Sequence, residues 1–285
     1  MQANETQKPY IGFVILTWNS EKVIEACLSS VFSLGNVKTE VVLIDNGSTD
    51  QTISLASKLS KRMDGNLQKI CYAENKGTTI SRNEGIRYFE NQDVDYLCIL
   101  DSDTVINTKA MGLLIDEMEA HPQYGIIGPK MVTSAGQVQI SARAFPTLLE
   151  KLLKAAPITA LQRLGEKMEQ QVPISQSGDS SPVDYLMSAC WLIRLEVVRA
   201  AGLLDEKIFY APEDAEYCIR VWKAGYQIVY CPKATIIHEW QRLSKRKMIS
   251  KINLEHIKGL AYMFSKHHYL FSCKKLRKSF RREGK

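Results

Sequence analysis

Four short apolar runs in the first half of the chain each end in a polar cluster, and a helical pattern follows every one. "YIGFVIL" gives way to TWN and then to a stripe of Ile24, Cys27, Leu28 and Val31. "EVVLID" runs into NGSTD and a helix carrying Ile53, Ala56, Leu59 and Met63. "KICYA" leads to ENKG and a helix from Ile80 to Phe89. "YLCIL" leads to DSD and an amphipathic helix from about Thr108 to Ala120. Strands alternating with helices of this length form βαβ units, so the chain reads as an α/β protein with a mostly parallel central sheet. Ligands of such sheets gather at the carboxyl ends of the strands, where all four clusters fall.

The second half is less regular. "GIIGPKMV" and "QVQISAR" are expected strands, whereas residues 157–182 lose periodicity and read as a mobile loop or insertion. "VDYLMSACWLIR" resumes a buried strand and "EDAEYCIRVWKAG" a helix closed by Gly225. "YQIVYCPKATIIHEW" is then a strand pair or a strand bent at Pro232, before a basic helical segment.

The 285 residues, 45% hydrophobic and 24% charged, suffice for a sizeable globular core. The polar start "MQANETQKPY" lacks the apolar stretch of a signal peptide. No apolar window reaches the roughly eighteen residues that a membrane span needs. Seven cysteines lie scattered without a CxxC pair, which reads as reduced thiols in a cytoplasmic protein and not as a disulfide frame or zinc site. The net charge of +6 conceals an asymmetry: from Arg242 onward stand fourteen of the 37 Lys and Arg but two of the 31 Asp and Glu. An acidic body therefore carries a basic tail.

The DSD cluster poses the chemical question. On an extended strand Asp101 and Asp103 would face the same way, with Cα atoms roughly 6–7 Å apart. Two such carboxylates repel unless something positive joins them, and a divalent cation is one such partner. Acids that solvate a loop or cap a helix are the plainer reading. Asp45 can accept from the N3–H of a uracil or thymine base on which Trp18 stacks. "DNGSTD", with Asn46, Gly47 and Ser48, reads more simply as a turn with a helix cap at Ser48 or Asp50. Asn75, Gly77, Arg82 and Asn83 read equally as a turn and a helix face, with Arg82 a candidate for a diphosphate. Glu213 and Asp214 follow Pro212, as a helix start prefers. A carboxylate fixed there is also placed to take a hydroxyl proton, provided burial or help from Glu213 and Glu216 offsets the helix dipole. His238 ends an apolar strand and, beside DSD, becomes a candidate third metal ligand.

The order and spacing of these stretches resemble the inverting glycosyltransferases of family 2, over roughly residues 10 to 245. The likeness is carried by "VILTWNSEKVIEACLSSV", "EVVLIDNGSTD", "ENKGTTISRNEG", "LCILDSD" and the long stretch from "VDYLMSACWLIR" to "HEWQRLS". "GQVQISARAFPT" and the "H…QR.S" ending look most like the rhamnosyltransferase-like branch that builds bacterial cell-surface polysaccharide. The resemblance implies a GT-A fold, Rossmann-like, in residues 1–240, with a donor half about 10–130, an acceptor half about 131–240 and a basic helical extension at 241–285. It also implies Thr17, Trp18, Asn19, Asp45, Asn46, Ser48, Asn75, Gly77 and Arg82 around a nucleotide-sugar, with Asp101 and Ser102 near the ribose and diphosphate. Asp103 would be the main ligand of Mn2+ or Mg2+, with His238 and Asp101 as further ligands. Asp214 would be the catalytic base and Glu213 its neighbour on the acceptor. Arg143, Trp191, Arg242 and Ser244 fall in segments that line the acceptor or diphosphate side. The chain departs from the pattern at Ser188-Ala189-Cys190, at Ala201-Gly202-Leu203-Leu204, at Pro212 and at Glu216, mostly on the acceptor side.

The expected reaction moves a sugar from a UDP- or dTDP-sugar, dTDP-rhamnose being one candidate, to a hydroxyl of a glycan or lipid-linked acceptor. The basic tail is a candidate for peripheral contact with an anionic inner membrane leaflet, chiefly through its last fifteen or so residues. Charge without a docking motif gives no reason to expect nucleic acid. Two rival readings are a sugar nucleotidyltransferase, whose glycine-rich loop is missing from "FVILTWNSEK", and a non-catalytic nucleotide-sugar-binding protein, which would not need Asp214.

Overall fold

The computed structural model describes residues 8–170, 178–239 and 251–283. Its first half runs β1 (Tyr10–Thr17), α1 (Ile24–Phe32), β2 (Lys38–Asp45), α2 (Thr52–Met63), β3 (Leu67–Cys71), α3 (Thr78–Phe89) and β4 (Tyr96–Asp101). The Ser102–Asp103 turn then leads to β5 (Thr104–Val105) and α4 (Thr108–Ala120). The sequence dictates these elements locally. α1 buries the expected stripe of Ile24, Cys27, Leu28 and Val31. α4 begins where the Asn107 side chain accepts from the Ala110 N–H, satisfying a donor that has no partner within the helix.

The second half runs β6 (Tyr124–Val132), β7 (Val138–Gln139), β8 (Ala142–Arg143), α5 (Leu148–Ala155), α6 (Thr159–Glu169), β9 (Ser181–Pro182) and β10 (Tyr185–Leu186). It continues with β11 (Cys190–Arg194), α7 (Leu195–Ala201), α8 (Glu213–Lys223), β12 (Gln227–His238), α9 (Lys251–His267) and α10 (Lys274–Glu283). The main sheet has the order β3-β2-β1-β4-β11-β6-β12-β5, with β7 on β6 and β9 on β12. β1 to β4 are parallel, β11 is antiparallel to both β4 and β6, and β12 is parallel to β6. The fold is α/β with a mostly parallel sheet, as expected. Side chains alternate across it into two cores: Trp191 and Ile193 of β11 join Leu97 and Ile99, while Cys190 and Leu192 join Cys98 and Leu100.

Residues 157–182 differ from their reading as a loop. α6 occupies Thr159–Glu169, while residues 171–177 lie outside the described residues. α6 buries Gly165 and Glu169, while Leu161, Leu164 and Met168, which recur at helical spacing, stay unburied. "QVQISAR" breaks into β7 and β8, and "VDYLMSACWLIR" into β10 and β11 of two different sheets. "YQIVYCPKATIIH" is one strand whose register slips between Cys231 and Thr235, around Pro232, which has no N–H to give the ladder.

The C-terminal helices pack on the body. Met263, Phe264, Tyr269, Cys273 and Leu276 are buried in one core, and the Phe280 ring stacks on Trp222 at 5.7 Å. Arg277 pairs with Asp184. Among the described residues, no helix is long and apolar enough to cross a membrane.

Candidate active site

The ends of β1, β2 and β4 meet the start of α8 around a cleft of about 380 Å³. Thr17, Trp18, Asn46, Asn75, Gly77 and Arg82 line it, as do Asp101, Ser102, Asp103, Glu213, Asp214 and His238. Ser188, Phe209 and Tyr210 also belong to the wall.

Strand alternation is not what brings the DSD carboxylates together. β4 ends at Asp101, and Asp103 stands in the turn to β5. β5 pairs with β12 so that His238 lies opposite Thr104. The turn and this pairing bring one ligand atom each of Asp101, Asp103 and His238 within 4.8 Å of one another. His238 Nε2 is 3.3 Å from Asp103 Oδ1. Gln139 sets the imidazole. Its amide nitrogen donates to the His238 carbonyl at 2.8 Å, which leaves its oxygen to accept from Nδ1 at 2.7 Å. With the proton on Nδ1, the Nε2 lone pair faces Asp103, the arrangement a metal takes up. Burial disfavours a charged His238, but the hydrogen bond and charge of Asp103, with Asp101 behind, outweigh it and raise its pKa. The position therefore favours positive charge, as a proton or as a cation. Sequence reading missed Gln139, because its meeting with His238 depends on β7 and β12 flanking β6.

Arg82, expected at a diphosphate, lines the cleft and is buried between carboxylates. Its guanidinium donates to Asp101 Oδ1 at 2.6 Å, to Ser188 Oγ at 2.7 Å and to Glu213 Oε1 at 3.2 Å. Asp101 thus already has a cation beside it. Burial, with the Asp103 charge, nevertheless raises the Asp101 pKa against the pull of Arg82 and His238.

Glu213 and Asp214 open α8, and here too burial wins. Burial and the neighbouring Asp214 charge push Glu213 up to about 8. Asp214 is raised by burial, although its Oδ1 accepts from the Ala215 N–H at 2.7 Å and Arg143 attracts its charge. The depression expected from the helix terminus is overcome. Glu216, expected to help, turns away from the cleft and binds Arg220 Nε at 3.0 Å, Lys266 at 2.7 Å and His267 at 3.2 Å.

Other expected residues act on the loops. Asp45 does not line the cleft: its carboxylate accepts from the Ser48 N–H at 3.0 Å and from the Ser48 hydroxyl, and it is 4% exposed. Asn19 donates its N–H to Ser48 Oγ at 2.8 Å and accepts from the Thr49 N–H at 2.9 Å. Asn19, Asp45 and Ser48 therefore fasten the loop after β1 to the loop after β2. Asn46 accepts from the Lys76 N–H at 2.7 Å and donates to Asn75 Oδ1 at 3.0 Å. Gly77 has φ +87°, and a Cβ there would stand 2.4 Å from the Phe209 carbonyl, so glycine alone fits. Trp18 is 45% exposed and free to stack.

Of the residues expected on the acceptor side, Trp191 is fully buried and stacks on Tyr217 at 6.0 Å, because alternation along β11 turns it into a core. Arg143 binds Glu169 at 2.8 Å and acts on Asp214 only through its field. Arg242 and Ser244 lie outside the described residues. Tyr210, a cleft residue 43% exposed, was not anticipated; nothing in "FYAPED" separates it from Phe209.

Comparisons agree with this architecture. The chain is 25% identical over 270 residues to the N-acetylglucosaminyl-diphospho-decaprenol L-rhamnosyltransferase of Mycobacterium tuberculosis, covering 89% of this chain and 84% of the relative. It superposes on the mannosyltransferase PcManGT from Pyrobaculum calidifontis, in complex with GDP-Man and Mn2+, with TM-score 0.63. That match has 14% identity and covers 98% of this chain and 70% of that one. Staphylococcus aureus TarS 1–349 in complex with UDP-GlcNAc also gives TM-score 0.63 at 15% identity, covering 96% and 71%. A second TarS 1–349 structure is spanned over 60% of its length. At these identities the structural likeness is one of fold. The family profile described as glycosyl transferase family 2 matches residues 13–198, more than half of the chain. Fold, sequence and relatives coincide: the protein is a glycosyltransferase with a GT-A fold and belongs to glycosyl transferase family 2.

Proposed function

We propose that the protein is a metal-dependent, inverting glycosyltransferase that moves a sugar from a nucleoside-diphosphate donor to a hydroxyl of a lipid-linked or growing cell-surface glycan. One observation carries the reading: Asp101, Asp103 and His238 meet within 4.8 Å in the same cleft as Asp214. Two carboxylates and an imidazole with its Nε2 directed inward fit Mn2+ or Mg2+. Asp103 and His238 would hold the ion, with Asp101 contributing the oxygen that Arg82 leaves free. When bound, the ion supplies Lewis-acid stabilisation of the charge that grows on the departing diphosphate.

The chain's own groups do the rest. Trp18 offers a face for the base, and the laced loops of Asn46, Asn75 and Gly77 hold the wall beside it. Asp214 takes the proton from an acceptor hydroxyl as that oxygen attacks the anomeric carbon opposite the leaving group, and a single displacement of this kind inverts the configuration. Burial, by raising its pKa, makes Asp214 a better base than a helix-terminal carboxylate in water. Glu213, mostly protonated near neutral pH, can donate to or accept from the acceptor. The donor half then spans about residues 10–130 and the acceptor half about 131–240. The similarity to a rhamnosyltransferase acting on a diphospho-decaprenol sugar makes a deoxythymidine-diphosphate sugar the first donor to try and a polyprenyl-diphosphate saccharide the first acceptor.

The test is thermal stabilisation by a panel of UDP-, dTDP- and GDP-sugars with and without Mn2+, followed by transfer assays. Asp103→Asn should lose the Mn2+-dependent part of the stabilisation. Asp214→Asn should keep it while transfer falls about 10²–10⁴-fold, the usual worth of a general base. Full transfer by Asp214→Asn would refute the assignment of the base.

A further inference from the structure

Away from the cleft, one face carries large apolar side chains in water. Leu149 and Leu152 on α5, Ile158 just after it, Ile257 on α9, and Leu270 and Phe271 beyond α9 are each 40–64% exposed. The segments that carry them adjoin at one groove. The Leu148 N–H donates to the Leu270 carbonyl at 2.8 Å, and a groove of about 710 Å³ runs between α5 and α9. Its walls include Leu148, Ile257, Leu260, Phe264 and Tyr269, with Lys151 among them. Large apolar side chains exposed beside such a groove mark an interaction site.

Charge selects the partner. Arg163, Lys167, Lys258, Lys274, Lys275 and Lys278 stand exposed on α6, α9 and α10, whereas among the acids of α5, α6 and α9 Glu150 and Glu169 are buried and Glu255 half-buried, which leaves Glu166 exposed. A two-fold contact with a second copy would set these cations against themselves. An anionic lipid surface accepts both the apolar side chains and the cations. We propose that the face built from α5, α6, α9 and the turn after α9 docks on an anionic phospholipid bilayer.

The docking face also lies beside the chemistry. Gly259 of α9 packs so closely on the segment before Glu213 that a Cβ would stand 2.4 Å from the Ala211 carbonyl. Lys151, in the groove, acts electrostatically on Asp214. Docking would thus bring the acceptor side of the cleft to the membrane; this consequence rests on the transfer reading, but the docking does not.

Co-sedimentation of the full chain with vesicles, at low and at high salt, tests it. Vesicles of phosphatidylcholine with about one third phosphatidylglycerol should bind the protein, more weakly as salt rises, and pure phosphatidylcholine should bind it less. Leu152→Glu with Ile257→Glu should weaken partition about tenfold or more. Arg163→Glu with Lys167→Glu should abolish the preference for phosphatidylglycerol. Circular dichroism and nucleotide-sugar stabilisation should stay as in the parent, which separates this result from any failure of the transfer reading. Absence of vesicle binding, or equal binding by the Leu152→Glu, Ile257→Glu protein, overturns the proposal. A dimer by light scattering that these substitutions dissociate, without vesicle binding, overturns it in favour of a second copy.

Discussion

A single buried guanidinium holds the two halves of the cleft together. Arg82 reaches Asp101, nineteen positions away, and Glu213, 131 positions away, and is itself only 3% exposed. That a pair of carboxylates needs a positive partner could be read from DSD, but the identity of the partner could not, because nothing local in "TISRNEG" points to either acid. Breaking a buried pair from one side leaves the remaining charges uncompensated, at about 3–5 kcal/mol. Arg82→Met should therefore lower unfolding stability by an amount of that order, measured by urea titration. Arg82→Lys should fall between the two proteins, since it keeps the charge and loses the fork. If Arg82→Met unfolds like the parent, Asp101 and Glu213 do not depend on this cation.

At the scale of elements, α8 presents its first turn to the cleft and its next carboxylate to α9. Glu216 is fully buried, which by itself would raise its pKa, yet the contacts with His267, Arg220 and Lys266 bring it down to about 2. A carboxyl lower in the folded chain than in the unfolded one stabilises above its unfolded pKa, and that contribution fades as pH falls toward the folded value. A shift of this size corresponds to about 3 kcal/mol. The stability gap between the parent and Glu216→Gln should thus be full near pH 5 and shrink toward pH 2 in urea titrations; a gap constant over that range would place the depression elsewhere. Elements were legible where burial is patterned. The stripe of α1 and the Asn107 cap of α4 are written in adjacent residues. α6 was not, because its Leu161, Leu164 and Met168 recur at helical spacing but stay unburied, and the polar, Pro- and Gly-containing residues after them read as loop. Nor was the tie from α8 to α9, since lysine and histidine on a basic helix look solvated until a buried acid faces them.

For the whole molecule, the sheet order interleaves early and late strands, with β4 beside β11 and β12 beside β5. The metal-ligand candidates straddle that seam, Asp103 before β5 and His238 at the end of β12, so the site cannot form without the late half of the chain. α10 closes the same core from outside. The sequence reading placed its apolar residues against a membrane, since a basic amphipathic helix at the end of a chain suits that role. The structure spends that apolar side internally: Leu276 is 4% exposed, and the Phe280 ring lies on Trp222 and edge-on to Phe145. Large-to-small changes at well-packed sites cost about 2–5 kcal/mol. Leu276→Ala should accordingly lower the unfolding free energy within that range while vesicle binding of the folded protein stays unchanged. The opposite result, parental stability with lost vesicle binding, would return Leu276 to the lipid surface and detach α10 from the core.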